Sequence, residues 1–155
     1  MNQTELQQRR IDAAINYFRY VDNADPSLIS LFTEDAMVTF PKLGVAHGKA
    51  EIGLLAQGFG SEIIRIEHDI ENFNVMPSGN HVIIEGQVSG ETYSGGAFPD
   101  NVYSHGRFCN VFEFVGDLIK RINIYEDPDF NSADAPRIEW AKKVHDSLAQ
   151  HRASL

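Results

Sequence analysis

The feature that most constrains this chain is a change of hydrophobic period near Ile63. Before it, apolar residues recur at helical spacing; after it, they alternate in long runs. Thr4 to Asn23 predicts a helix whose Ile11, Ile15, Phe18 and Asp22 share one stripe, with Ala14 and Val21 beside it and Tyr17 at its edge. Asp25 as N-cap and Pro26 at the first helical position open a second helix, buried through Leu28, Leu31 and Phe32. Ala36 to Phe40 predicts a short strand ending at Pro41, and 42–48 a loop. A third helix starts near Lys49, with Ile52, Leu55 and Phe59 inward and Gly58 and Gly60 at its end.

Beyond the switch, the strands are Ile63–Met76, His81–Tyr93, Tyr103–Val115 and Leu118–Glu126, separated by turns at Pro77–Asn80 and Gly116–Asp117 and a connection at 94–100. Asp134 and Pro136 begin a tail helix carrying Ile138, Ala141, Val144 and Leu148, and its Trp140 packs on the barrel or on a dimer mate. Helices first and long antiparallel strands afterwards define an α+β class. The chain is one domain over 1–155, with its core at about 8–130 and the tail at 134–150. Three helices cannot cover both faces of such a sheet. It therefore curls, with the helices closing the concave side and a pocket left between the first helix and the sheet.

Charge narrows the partners. A formal net charge of -9 argues against nucleic acid and against an anionic membrane surface. No apolar run is long enough to span a bilayer, and the N-terminus lacks the basic and apolar regions of a signal peptide. With a single cysteine, Cys109, no intrachain disulfide forms, which fits a cytoplasmic location. The six histidines show no ligand spacing, so no metal site and no cofactor are expected.

Phe108 to Phe114 puts aromatics on one strand face with a lone amide, Asn110, among them. A buried amide without partners costs about 1–3 kcal/mol. Asn110 is therefore either tied off by the protein or set to meet a ligand. His68 shares a face with Ile66 and Ile70, as a satisfied core histidine or as a general base working near neutral pH. Asp127 lies on the face opposite Ile122 and Ile124, as a strand-ending turn residue unless a bulge returns it to the pocket. His105 and Arg107 face outward or toward a partner.

Several local patterns, in order, resemble the NTF2-like superfamily, and within it the SnoaL-like and ketosteroid-isomerase-like branch. Tyr17-Phe18, Asn23-Ala24-Asp25 and Leu31 to Ala36 are similar to its first helices and strand. His47 to Ile52 is similar to the start of its third helix, and Phe112-Glu113-Phe114, Gly116 to Ile119 and Tyr125-Glu126-Asp127 to its closing hairpin. The resemblance implies a cone-shaped barrel, a curved antiparallel sheet wrapped on three N-terminal helices, that often dimerises through the outer face of its sheet. It implies a pocket lined by Phe40, Phe59, Phe108, Phe112 and Tyr125 for a small apolar oxygenated molecule.

Family chemistry transfers unevenly. The isomerase base is replaced by Phe40, which accepts no proton, while its later acidic donor lines up with Asn110. Tyr17, His68 and Asn110 resemble the pocket tyrosine, histidine and asparagine of scytalone dehydratase, but the aspartate that orients its histidine aligns with Phe18, leaving His68 without a carboxylate. Asp127 resembles the acid–base aspartate of SnoaL-like cyclases. These likenesses imply cofactor-free acid–base catalysis, as a dehydratase (lyase), isomerase or cyclase, on a polyketide-, steroid- or terpenoid-like compound. The alternative is a non-catalytic ligand-binding or dimerisation module, favoured if Phe59, Phe73, Phe108 and Phe112 fill the pocket.

Overall fold

In a computed structural model, residues 2–128 are described, together with 142, 146 and 149–154 of the tail. The tail helix expected over 134–150, Trp140 included, lies outside them apart from positions 142, 146, 149 and 150, which are helical and exposed. Helix α1 (Gln3–Asp22) starts with a reciprocal cap. Asn2 Oδ1 accepts from the Glu5 amide at 2.8 Å and Glu5 Oε2 accepts from the Asn2 amide at 3.0 Å. Asp25 and Pro26 act as expected, but the turn they start, Pro26–Leu31, is a single 3-10 segment. Helix α2 spans Gly48–Glu62 and buries only Ile52 fully.

The strands are β1 (Phe32–Phe40), β2 (Gly44–His47), β3 (Ile63–His68), β4 (Asn74–Ser78), β5 (His81–Thr92), β6 (Gly96–Phe98), β7 (Arg107–Val115) and β8 (Leu118–Glu126). Their order is β2-β1-β8-β7-β5-β3, with β4 and β6 also paired to β5. The sheet is antiparallel except where β1 runs parallel to β8, a departure from the all-antiparallel expectation. Two short strands occupy segments expected as connections: β2, within 42–48, pairs with β1, and β6, within 94–100, pairs with β5.

The long strand expected over Ile63–Met76 is two strands. A 3-10 turn at Ile70–Asn72 separates β3 from β4, and they pair with opposite ends of β5. The sheet bends between those ends. Gly86 marks the bend: a methyl there would lie 2.7 Å from the Phe73 ring and 2.9 Å from that of Phe108, so only glycine lets both rings close over β5. The concave face buries Phe32, Ile84, Phe112, Phe114, Ile119 and Ile122, and Phe18 of α1 packs down onto it against Phe108 and Phe112. Arg10 pins the N-terminal half of α1 by donating to Gly116 O at 2.8 Å and Gly79 O at 2.9 Å, across two hairpin turns. The other end of α1 is fastened at the site.

Candidate active site

At the last residue of α1, Asp22 reaches β3. Its Oδ2 accepts from the His68 backbone N–H at 3.0 Å, and its Oδ1 lies 2.5 Å from His68 Nδ1. Both side chains are largely buried, at 15% and 10% exposure. A carboxylate only accepts, so Nδ1 carries the hydrogen, and in the neutral imidazole the lone pair is on Nε2. This corrects the expectation that His68 has no orienting carboxylate. The partner comes not from the Phe18 position but from one turn later, on the same stripe of α1. Phe18 instead packs edge-on against the imidazole, ring centroids 4.8 Å apart.

His68 opens onto a recess of about 30 Å³, lined also by Tyr17, Phe108, Asn110, Ile124 and Glu126. That is room for roughly one water-sized group. Above it lies a chamber of about 580 Å³ between α1, the 3-10 segment, β1, α2 and β3, walled largely by apolar side chains such as Leu28, Val38, Ile52 and Ile66. Tyr17, Val21, Phe40, Phe59 and Ile66 line both spaces, so the chamber is the mouth of the recess. The phenylalanines do not fill it: Phe40 and Phe59 pack on one another, 5.2 Å apart, as its wall.

Asn110 is 3% exposed, and its Oδ1 has no hydrogen-bond partner. The protein does not tie this oxygen off. Tyr17 is buried at the edge of both spaces. Burial, and then the charge of Glu126, push its hydroxyl well above the ordinary tyrosine range, so it stays protonated. Glu126 is the group the sequence reading missed. Burial raises its carboxyl to about 8, Asp127 adding to the rise and Lys42 opposing it, so at neutral pH it is an uncharged acid.

Three expected site residues lie elsewhere. Asp127 points away from the recess: it accepts from Ser104 Oγ at 3.2 Å, His105 N at 2.9 Å and Arg107 N at 2.8 Å, bracketing the start of β7. No bulge near the end of β8 intervenes, since Phe108↔Glu126 continues the register from Asn110↔Ile124. Tyr125 is 58% exposed on the outer face, because it alternates with Ile124 and Glu126. Phe112 is fully buried beneath the floor, its ring 5.5 Å from that of Tyr17, and lines neither space. Among the described residues no group of three or more His, Cys, Asp or Glu side chains could hold a metal ion, and no helix is long and apolar enough to cross a membrane.

A cone of curled sheet closed by N-terminal helices around an open, apolar-walled cavity defines the NTF2-like class. Within it the chain belongs to the SnoaL-like family, whose domain model matches residues 14–122. An NTF2-like protein from Anabaena variabilis superposes with a TM-score of 0.68 at 15% identity, over 83% of this chain and 95% of its own. A polyketide-cyclase candidate from Xanthomonas campestris pv. campestris gives 0.63 at 16% identity, over 77% and 91%. TerC, co-crystallised with polyporic acid, gives 0.60 at 14% identity, over 77% and 92%. At these identities the likeness is one of fold. No curated protein sequence matches the chain.

Proposed function

We propose that this SnoaL-like protein is a cofactor-free acid–base enzyme acting on a small, neutral, largely apolar ring compound that carries a carbonyl or hydroxyl oxygen. The observation that carries this reading is the His68–Asp22 pair, buried and facing the recess below the apolar chamber. Asp22 holds the imidazole in the tautomer that leaves Nε2 free to take a proton from carbon. Tyr17 and Asn110 hold the oxygen. The products of such a step are those of dehydration, isomerisation or cyclisation. A polyketide-, steroid- or terpenoid-like substrate matches the chamber's size and apolarity, and a fold relative co-crystallised with polyporic acid supports this class.

Washing deuterium from solvent into 2-tetralone, a bicyclic ketone with acidic C–H bonds, tests the base. His68→Ala should lose about 10²-fold or more in exchange rate and Asp22→Asn about tenfold or more, with circular dichroism unchanged. Native-rate exchange in both variants rejects the reading.

The protein acts as a homodimer in the cytoplasm, through the outer face of the sheet. Ile83, Val111 and Tyr125 line that face between Glu85, Glu113 and Arg121, a mixture that suits a second copy, and free Cys109 fits a reducing compartment. Sedimentation equilibrium should return twice the chain mass; a monomer at every concentration rejects the dimer.

A further inference from the structure

We propose that Glu126 enters the cavity as a neutral carboxylic acid and gives its proton to a substrate oxygen lodged in the recess, on the wall opposite His68. This deepens the proposed reading of the site and rests on it. The argument is one of sheet geometry. Gly86 pairs with Phe108 and Phe108 with Glu126, a row of bare glycine, phenyl ring and carboxyl, while His68 pairs with Val88, two residues along β5 from Gly86, and so lies diagonally across the floor from that row. Three strand spacings, roughly 14 Å, and two residues along the strand, about 7 Å, separate the backbones of His68 and Glu126. The Phe108 ring fills the space between them, its centroid 5.3 Å from that of His68. Asn110, next inward on β7 and facing Ile124, lies diagonally beside Glu126 on the same inner face.

The recess is about 30 Å³, too small for a ring and sufficient for one oxygen. An oxygen placed there meets the Glu126 carboxyl and, once it carries the delivered hydrogen, has an acceptor in Asn110 Oδ1, which has no partner within the protein. The carbon skeleton then lies over Phe108 with its acidic C–H toward His68. Charged and titratable groups near Glu126 come from each neighbouring element: Tyr17 on α1, Lys42 after β1, His68 with Asp22 across the floor, and Asp127, next in the chain and turned to the opposite face. Burial keeps the carboxyl protonated up to about pH 8.

In the step, His68 Nε2 takes the proton and the C–H bonding pair becomes the C=C bond of the enol. The carbonyl π pair moves to oxygen, and Glu126 O–H is broken as that oxygen is protonated. Imidazolium and carboxylate remain, and solvent returns a proton from one to the other. The proton removed and the proton delivered therefore belong to different residues, unlike an out-and-back transfer by a single base.

Binding of 2-tetralone, whose carbonyl oxygen only accepts, followed by calorimetry between pH 6 and pH 10, reads the donor without requiring turnover. Native affinity should be flat up to about pH 8 and fall about tenfold per pH unit above it, relative to Glu126→Gln, whose profile should lack that break. Superimposable profiles overturn the proposal. Should Glu126→Gln not fold, carbon-13 titration of the native glutamate carboxyls decides, through the presence or absence of one titrating near pH 8. Deuterium wash-in to 2-tetralone separates the two readings. Loss on His68→Ala with a native rate in Glu126→Gln overturns the Glu126 proposal and leaves the base standing. A fall of about 10²-fold in Glu126→Gln supports it. A binding break at Glu126 with no exchange in the native protein rejects the base and, with it, proton delivery by Glu126.

Discussion

At Asn110 a single side chain sets stability against use. A buried amide oxygen without a partner costs about 1–3 kcal/mol, and the fold tolerates it where a ligand hydroxyl would arrive. Replacing it with the nearly isosteric Asn110→Leu should raise folding stability by about 1 kcal/mol in urea melts while weakening 2-naphthol binding about tenfold or more. A destabilised variant that still binds would show the amide to be structural. The residues of the site were unevenly legible in sequence. Strand parity alone set Asn110 and His68 facing inward. The same parity placed Glu126 with Ile122 and Ile124 and left Asp127 outside, but the family likeness drew attention to the aspartate. Asp22 was visible on the apolar stripe of α1, where a carboxylate is out of place. Its partner lies 46 positions away, and no local pattern encodes that pairing.

At the scale of elements, period and turn chemistry located α1, the start of the 3-10 segment, β5 and β8 well, and the end of β7, whose start lies at Arg107 rather than at the expected Tyr103. They failed where pairing rather than pattern makes the strand. β2 and β6 have four and three residues and exist because β1 and β5 offer them an edge. The break between β3 and β4 was hidden because Ile70 and Phe73 continue the apolar signal through the turn. Helix α2 carries a different message. Gly58 and Gly60 lie within it, and a methyl at either meets nothing within 4 Å, so no close contact requires glycine. Each glycine costs a helix about 0.5–1 kcal/mol relative to alanine. Gly58→Ala and Gly60→Ala together should therefore stabilise the fold by about 1–2 kcal/mol. They should also slow 2-naphthol entry, because Phe59 between them walls the chamber. Stopped-flow fluorescence reads the on-rate, and unchanged stability would refute the account of α2.

The whole molecule feels the site through proton linkage. Glu126 holds its proton up to about pH 8 in the folded chain, whereas an ordinary glutamate gives it up near 4.5. Between those values the native state binds more protons than the unfolded state, so this residue's term lowers folding stability as pH rises from 4.5 to 8 and is level outside that window. Urea midpoints across that range should fall more steeply for the native protein than for Glu126→Gln, which should be the more stable at pH 8. Equal slopes would place the acid at its ordinary value.

The two-part cavity divides labour in a way that bears on the breadth of the family. The roomy chamber judges a guest by bulk and greasiness, which many skeletons satisfy. The recess judges a single terminal atom and admits little else. A pocket built so is lenient toward the scaffold and strict toward one functional group. Mutations along the α2 wall can thus exchange one ring system for another while leaving the His68–Asp22 pair undisturbed.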